Sequence, residues 1–241
     1  GEIRLGIYGN EDPMYILAGL PFIAPDYSSA WLLKDVQMGY LQEKFGKKGL
    51  MILYTSPWPG QGFYTKTPVN SVADFKGKKL RIYSTATQQM GSMLGFNATI
   101  LPFAEIPQAF STGLIEALFT SPQTGIDIQA WDNTKHFTYA GAIFSKNAVV
   151  VSKKAFNALS KDDQMNILAA AKKAEIRGWE MSAETTKKQI DILKKNGMSA
   201  KNAPDEVISK MKSIGLEMMK SWRSKASPEA NAVLDRYLSM R

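Results

Sequence analysis

Apolar and polar positions along the chain change period several times, and each change marks an element. "EIRLGIY" alternates and carries enough branched residues for a strand, and "MYILAGLPFIA" continues it as a buried apolar segment punctuated by Gly19 and Pro21. From Ser28 to Phe45 apolar residues recur at spacings of three and four behind a pair of serines, which predicts an amphipathic helix. "LMILYTS" is a continuous apolar strand. "PWPGQGFYTKTPVNS" is too rich in proline and glycine for a regular element and predicts a crossing between sheets or domains. Then come a helical turn in "SVADF", a strand in "KLRIYS", a helix in "ATQQMGSMLGFNA" stopped by Gly95, and a strand in "TILPF". "AEIPQAFSTG" is a helix and "LIEALFTS" a strand. "PQTGIDIQAWDNTKHF" opens with Pro122 at a helix start, where its missing N–H is harmless, and places His136 on an amphipathic helix. "NAVVVSKKAFNALS" is a strand running into a short helix.

Strand and helix in alternation are the signature of parallel α/β sheets. Beyond Ser160 the texture changes to one helix of more than thirty residues. Ser160 caps it with Asp163 at the third position, and Gly197 stops it. That helix is longer than one compact layer requires, so it links two lobes. A short extended piece in "SAKNA" and two helices, over residues 204–224 and 228–240, complete the chain.

Composition removes whole classes of chemistry. With no cysteine there is no thiol nucleophile, thiolate metal site or disulfide, and a lone histidine, His136, rules out a histidine-clustered metal centre. No cofactor or metal is called for. The net charge of +8 permits anionic partners, yet the lysines sit in surface pairs such as Lys153-Lys154 and Lys187-Lys188 without interleaved aromatics, so nucleic acid is not the expected partner. No window is apolar for long enough to span a bilayer, and no basic segment leads into an apolar one at the start.

One charge stands out against this background. Arg81 lies between Leu80 and Ile82, and a guanidinium in an apolar strand is costly unless an acid or an anionic ligand meets it. Glu105 and Asp127 are the internal acids that would satisfy it. The ordered run "FKGKKLRIYS", "LPFAEIPQAFSTGLIEALFTSP" and "WDNTKHFTYAGAIFSKNAVVVSKKAFNALSKDDQ", followed by the long helix, resembles the solute-binding proteins of tripartite ATP-independent periplasmic (TRAP) transporters, the DctP-like family. By that resemblance a strand, a helix and a second strand would precede "GEIRLGIY".

The resemblance implies two α/β lobes of periplasmic-binding-protein type around a cleft, joined by hinge strands and the long helix. One lobe would hold residues 1–59 and 146–187, the other 60–145 and 188–241. It implies a periplasmic protein that passes a small organic acid to membrane permease subunits. Arg81 matches the arginine that grips the ligand carboxylate in a two-pronged bond, a geometry a planar guanidinium can offer and an ammonium cannot. Gln61 falls where many members place a second polar contact; being uncharged, it leaves one carboxylate anchor and not two. Trp58, Phe63, Tyr64 and Tyr83 are candidate aromatic walls, Asn10 with Tyr8 the contact from the opposite lobe, and Thr120 and Ser121 hydroxyl donors, Ser121 equally a helix cap. Phe144 and Asn147 border the second crossing, and Gln123 and Trp131 are lesser candidates. The competing readings are a ligand-sensing module for a signalling partner and an enzyme acting on a small carboxylate. No nucleophile elbow, phosphate loop or paired acid–base carboxylates favour the latter.

Overall fold

Period-two segments pair into two sheets that share a long crossing helix, and the computed structural model describes all 241 residues. The chain opens with β1 (Glu2–Arg4), passes through 3-10 turns at Leu5–Tyr8 and Pro13–Gly19, and enters α1 (Tyr27–Lys47). β2 (Leu50–Pro57), β3 (Gly62–Thr65) and β4 (Lys79–Ile82) follow, then α2 (Thr85–Met93), β5 (Asn97–Ile100) and α3 (Ile106–Ser111). Next are β6 (Ala117–Thr120), α4 (Pro122–Asp127), β7 (His136–Tyr139), β8 (Lys146–Ser152) and α5 (Lys153–Asn157). The 35-residue α6 (Lys161–Lys195) leads to β9 (Ser199–Asn202), α7 (Asp205–Lys225) and α8 (Pro228–Met240).

The smaller sheet has the order β1-β8-β2, antiparallel throughout; the larger has the order β5-β4-β6-β3-β7-β9. β4 runs parallel to β5 and to β6, whereas β3 lies antiparallel between β6 and β7. Alternation along the large sheet feeds two cores. Phe63, Leu80, Ile82 and Phe119 enter the larger core, while Tyr64, Leu118 and Phe137 enter a smaller one on the opposite face. Arg81, between Leu80 and Ile82, is therefore turned away from the larger core.

Four expectations are corrected. The segment "LGIY" is a 3-10 turn and not the rest of a strand, because pairing to β8 stops at Arg4↔Asn147. The Pro/Gly-rich crossing contains a central, fully buried strand, β3. Gly62 is there for close approach: a Cβ on it would meet the Thr138 carbonyl oxygen at 2.4 Å. His136 is not helical; α4 ends at Asp127, Gln129 turns through φ +50, and pairing to β3 and β9 draws His136 into β7. Its exposed amphipathic spacing was overridden by two strand neighbours. The fourth correction concerns Phe63 and belongs with the cavity below.

Two crossings join the sheets, β2 into β3 and β7 into β8, and they run side by side: the Trp58 N–H donates to the Ser145 carbonyl at 2.8 Å. The third connection is α6, about 52 Å long at 1.5 Å per residue. Its middle is fixed to β2 by Glu175, which accepts from the Thr55 N–H (2.9 Å) and hydroxyl (2.8 Å) and pairs with Lys34 at 3.3 Å. Its far end packs on α4 and β9. α8 returns to α1, where the Tyr237 hydroxyl donates to the Ile23 carbonyl at 2.8 Å.

Candidate ligand site

The carboxyl ends of the parallel strands β4 and β6, together with the start of β3, meet the two crossings at one edge of the large sheet. Ligands in open α/β sheets bind beyond such ends. A cavity of about 420 Å³ lies there, and Trp58, Gln61, Arg81, Tyr83, Thr120, Ser121 and Asn147 from the sequence reading all line it.

Arg81 is 1% exposed, yet no carboxylate lies within ion-pairing distance of it. Its Nε and Nη2 donate to one acceptor, the Leu101 carbonyl, at 3.1 and 2.9 Å. Of the five N–H groups of a guanidinium this leaves three, enough for a two-pronged bond to a carboxylate. Burial, with Arg4 nearby, lowers the group to about 10, which leaves it cationic at neutral pH. Asp127 lines the same cavity without pairing with Arg81, and Glu105 does not line it.

The polar groups around Arg81 hold one another in place. The Tyr83 hydroxyl donates to Gln61 Oε1 at 2.5 Å, and Gln61 Nε2 donates to Ser145 Oγ at 3.2 Å. Burial pushes the Tyr83 phenol up to about 12, so it stays a neutral donor. The Gln61 amide is thus already engaged at both ends. Trp58 Nε1 donates to Asn147 Oδ1 at 3.0 Å, and Asn147 Nδ2 donates to Glu2 at 2.8 Å, which closes the cavity on the side of the small sheet. Ser121 is the N-cap of α4, accepting from the Thr124 N–H at 3.1 Å.

Four expected residues lie elsewhere. Phe63 is fully buried among Phe75, Phe96 and Phe119, with ring centroids 4.7 to 5.7 Å apart, because its strand parity directs it into the larger core. Phe144 packs edge-on against Tyr27 at 4.9 Å and lines a separate cavity with Tyr139 behind the crossings. Asn10 is exposed on the turn after the first 3-10 segment, and Tyr8 packs partly buried against the core. Had "LGIY" continued as a strand these two would project differently; the 3-10 turn instead presents Ile7 to the cavity. Of the remaining aromatic candidates, Tyr64 is buried under α4, donating to the Ser121 carbonyl at 3.1 Å. Trp131 packs partly buried against the smaller core.

The residue that sequence reasoning missed is Arg4. It lines the cavity, stacks over the Tyr83 ring at 4.9 Å and donates to the Tyr83 carbonyl at 3.3 Å. Two guanidinium groups therefore flank Tyr83, where one carboxylate anchor was expected. The signal was present: "IRL" at Ile3–Leu5 has the same form as "LRI" at Leu80–Ile82.

With this geometry in view, the comparison with known proteins is decisive. The family model for bacterial extracellular solute-binding protein, family 7 (DctP), matches residues 3–225. The chain belongs to that family. DctP7 of Bordetella pertussis, an extracytoplasmic solute receptor binding pyroglutamic acid, superposes with a TM-score of 0.95 at 38% identity, covering 98% of this chain and 79% of that one. DctP6 of the same organism, also described as binding pyroglutamic acid, gives 0.95 at 36% identity, with coverage of 99% and 79%. The 2,3-diketo-L-gulonate-binding periplasmic protein YiaO of Escherichia coli is 26% identical over 190 residues, 77% of this chain and 58% of its own. The chain spans 58–62% of the length of three curated relatives it matches. The two-lobed α/β architecture of the family is the fold seen here, and no helix is long and apolar enough to cross a membrane.

Proposed function

We propose that this chain is the receptor of a TRAP-type uptake system: it captures a small organic acid outside the cytoplasmic membrane and delivers it to a membrane permease. The ligand is a monocarboxylate held through its carboxylate by Arg81, with Arg4 adding to the positive field. Pyroglutamate is the first candidate, since the solved relatives that share 38% and 36% of their residues with this chain are described as binding it. The family consists of solute-binding proteins, and this chain acts as one, not as an enzyme.

One observation carries the reading: a guanidinium removed from water, satisfied by a single carbonyl, with three N–H groups to spare at a cavity. Desolvating a charge without an opposite charge is unfavourable, and a bound carboxylate reverses that penalty. Binding then favours a closed arrangement of two lobes, residues 1–59 with 146–187 and 60–145 with 188–241, about the paired crossings near residues 57–61 and 140–146. α8 reaches back to α1 across that division.

The test is titration calorimetry of the wild-type protein and of Arg81→Ala with pyroglutamate, lactate and benzoate. At least one acid is expected to bind the wild type, and Arg81→Ala to weaken it by roughly a hundredfold or more, in line with loss of a two-pronged charged hydrogen bond. Equal affinity in the two proteins would refute the reading.

A further inference from the structure

A small chamber of about 20 Å³ shares three lining residues, Arg4, Tyr83 and Ser145, with the Arg81 cavity. Its other walls come from the two 3-10 turns, α1, the start of α2 and the start of β8. One water needs roughly 10–15 Å³, so the chamber has room for a single body the size of a water or a halide. Two cations line it, Arg4 and Lys146, and no aspartate or glutamate does. The larger cavity, by contrast, has Glu2 and Asp127 among its walls.

Lys146 gives the chamber its chemical preference. It is the first residue of β8 and 4% exposed, and its Nζ donates to Gln37 Oε1 at 2.6 Å. An ammonium carries three N–H groups, so two are left without a protein acceptor. Gln37 offers nothing further. It is buried, and its Nε2 is directed at the Met14 carbonyl (3.4 Å) and Sδ (3.2 Å), which commits its oxygen to Lys146. The charge that acts on Lys146 from α1 is another cation, Lys34, which is itself matched by Asp35 and Glu175. Arg4 adds a guanidinium that spends one N–H on the Tyr83 carbonyl at 3.3 Å. A buried charge without a counter-charge is unfavourable; a water supplies only an acceptor, whereas an anion supplies acceptor and charge together.

We infer that this chamber binds a single monatomic anion of chloride size, held by the free N–H groups of Lys146 with Arg4 as the second positive charge. The site does not depend on the Arg81 reading, since Arg81 does not line the chamber and an organic acid is too large for it. An anion between Arg4 of β1 and Lys146 of β8 neutralises two cations of the small sheet. It also packs against Tyr83 and Ser145, the two residues that hold the Gln61 amide in the larger cavity.

Two measurements on the full chain test this: thermal unfolding in sodium chloride against sodium methanesulfonate at equal ionic strength, and diffraction from crystals soaked in sodium bromide. Exchanging the larger anion for chloride at about 200 mM is expected to raise the unfolding midpoint of the wild type by about 2–4 °C. Arg81→Met, which removes the anion anchor of the larger cavity, should show the same gain, and Lys146→Met should lose most of it. Bromide should give an anomalous peak within about 3.5 Å of Lys146 Nζ, in contact with its free N–H groups. The inference is overturned by water alone in the chamber, by a bromide peak confined to Arg81, or by a peak that requires molar bromide while chloride leaves unfolding unchanged. A chloride effect that Lys146→Met retains in full overturns it equally. The bromide position in the wild type holds the inference to account even if Lys146→Met does not fold.

Discussion

Lys34 and Arg81 are both buried cations, 2% and 1% exposed, and the protein treats them in opposite ways. Lys34 contacts Asp35 at 2.6 Å and Glu175 at 3.3 Å and lies 3.6 Å over the Trp31 ring. Its charge is neutralised by the chain itself, and the resulting cluster joins α1, β2 and α6. Arg81 has one carbonyl and no acid. The difference separates a cation that serves the fold from one kept available for something outside it, and burial alone does not distinguish the two.

Breaking the structural side of this contrast has the largest expected effect on stability. Glu175→Ala leaves Lys34 without its buried partner and the Thr55 N–H without its acceptor, and should cost about 3 kcal/mol or more by denaturant unfolding. Ligand affinity of the folded protein should stay within a few-fold. If Glu175→Ala is as stable as wild type, the anchor of α6 has been misassigned.

Next in size is Gly62→Ala in β3. Its Cβ would meet backbone, the Thr138 carbonyl at 2.4 Å, so the two strands must separate, and a loss on the order of 2 kcal/mol follows. Thermal unfolding that matches wild type would show that β3 has room the close strand pairing denies.

A third buried cation, Lys146, sharpens the comparison through pH. Its Nζ donates to Gln37 Oε1 at 2.6 Å, no acid pairs with it, and burial together with Lys34 lowers it to about 7. Between about pH 7 and the ordinary lysine value near 10.4 the unfolded chain binds a proton that the folded chain does not, so this group makes stability rise with pH across that window. Below about pH 7 the penalty is complete. Lys146→Met should remove the slope and stabilise the protein at pH 7 by at least ~1 kcal/mol. A mutant with the same stability and the same slope would count against this account of Lys146.

The smallest effect belongs to Arg4, which reinforces Arg81 without the same freedom, since it already stacks on Tyr83 and bonds its carbonyl. Arg4→Gln is expected to weaken acid binding about three- to fivefold, more at low salt than at high salt. A loss as large as that of Arg81→Ala would make Arg4 the principal anchor and reverse the order argued here.

Much of the fold was legible because period and punctuation agreed. α1 and α6 announce themselves by spacing, and Ser160 and Gly197 mark the ends of the long helix through a cap and a left-handed glycine at φ +87. β3 was not legible, since its glycine serves a close strand approach that composition cannot tell from a loop. Within the site, Arg81 was readable from one incongruous charge in an apolar run. Arg4 carried the same incongruity and was passed over because the run around it is shorter and ends in a turn. Phe63 and Phe144 show the converse: an aromatic near a binding segment says nothing about which side of the backbone its ring takes.

The most direct measurement takes Arg81→Met and follows stability and affinity on the same preparation, by denaturant unfolding and by calorimetry with an acid the wild type binds. A cation held in reserve for a ligand predicts that stability stays level or rises while acid binding falls below detection. A parallel loss of stability with affinity retained in the molecules that remain folded would show that Arg81, like Lys34, belongs to the fold.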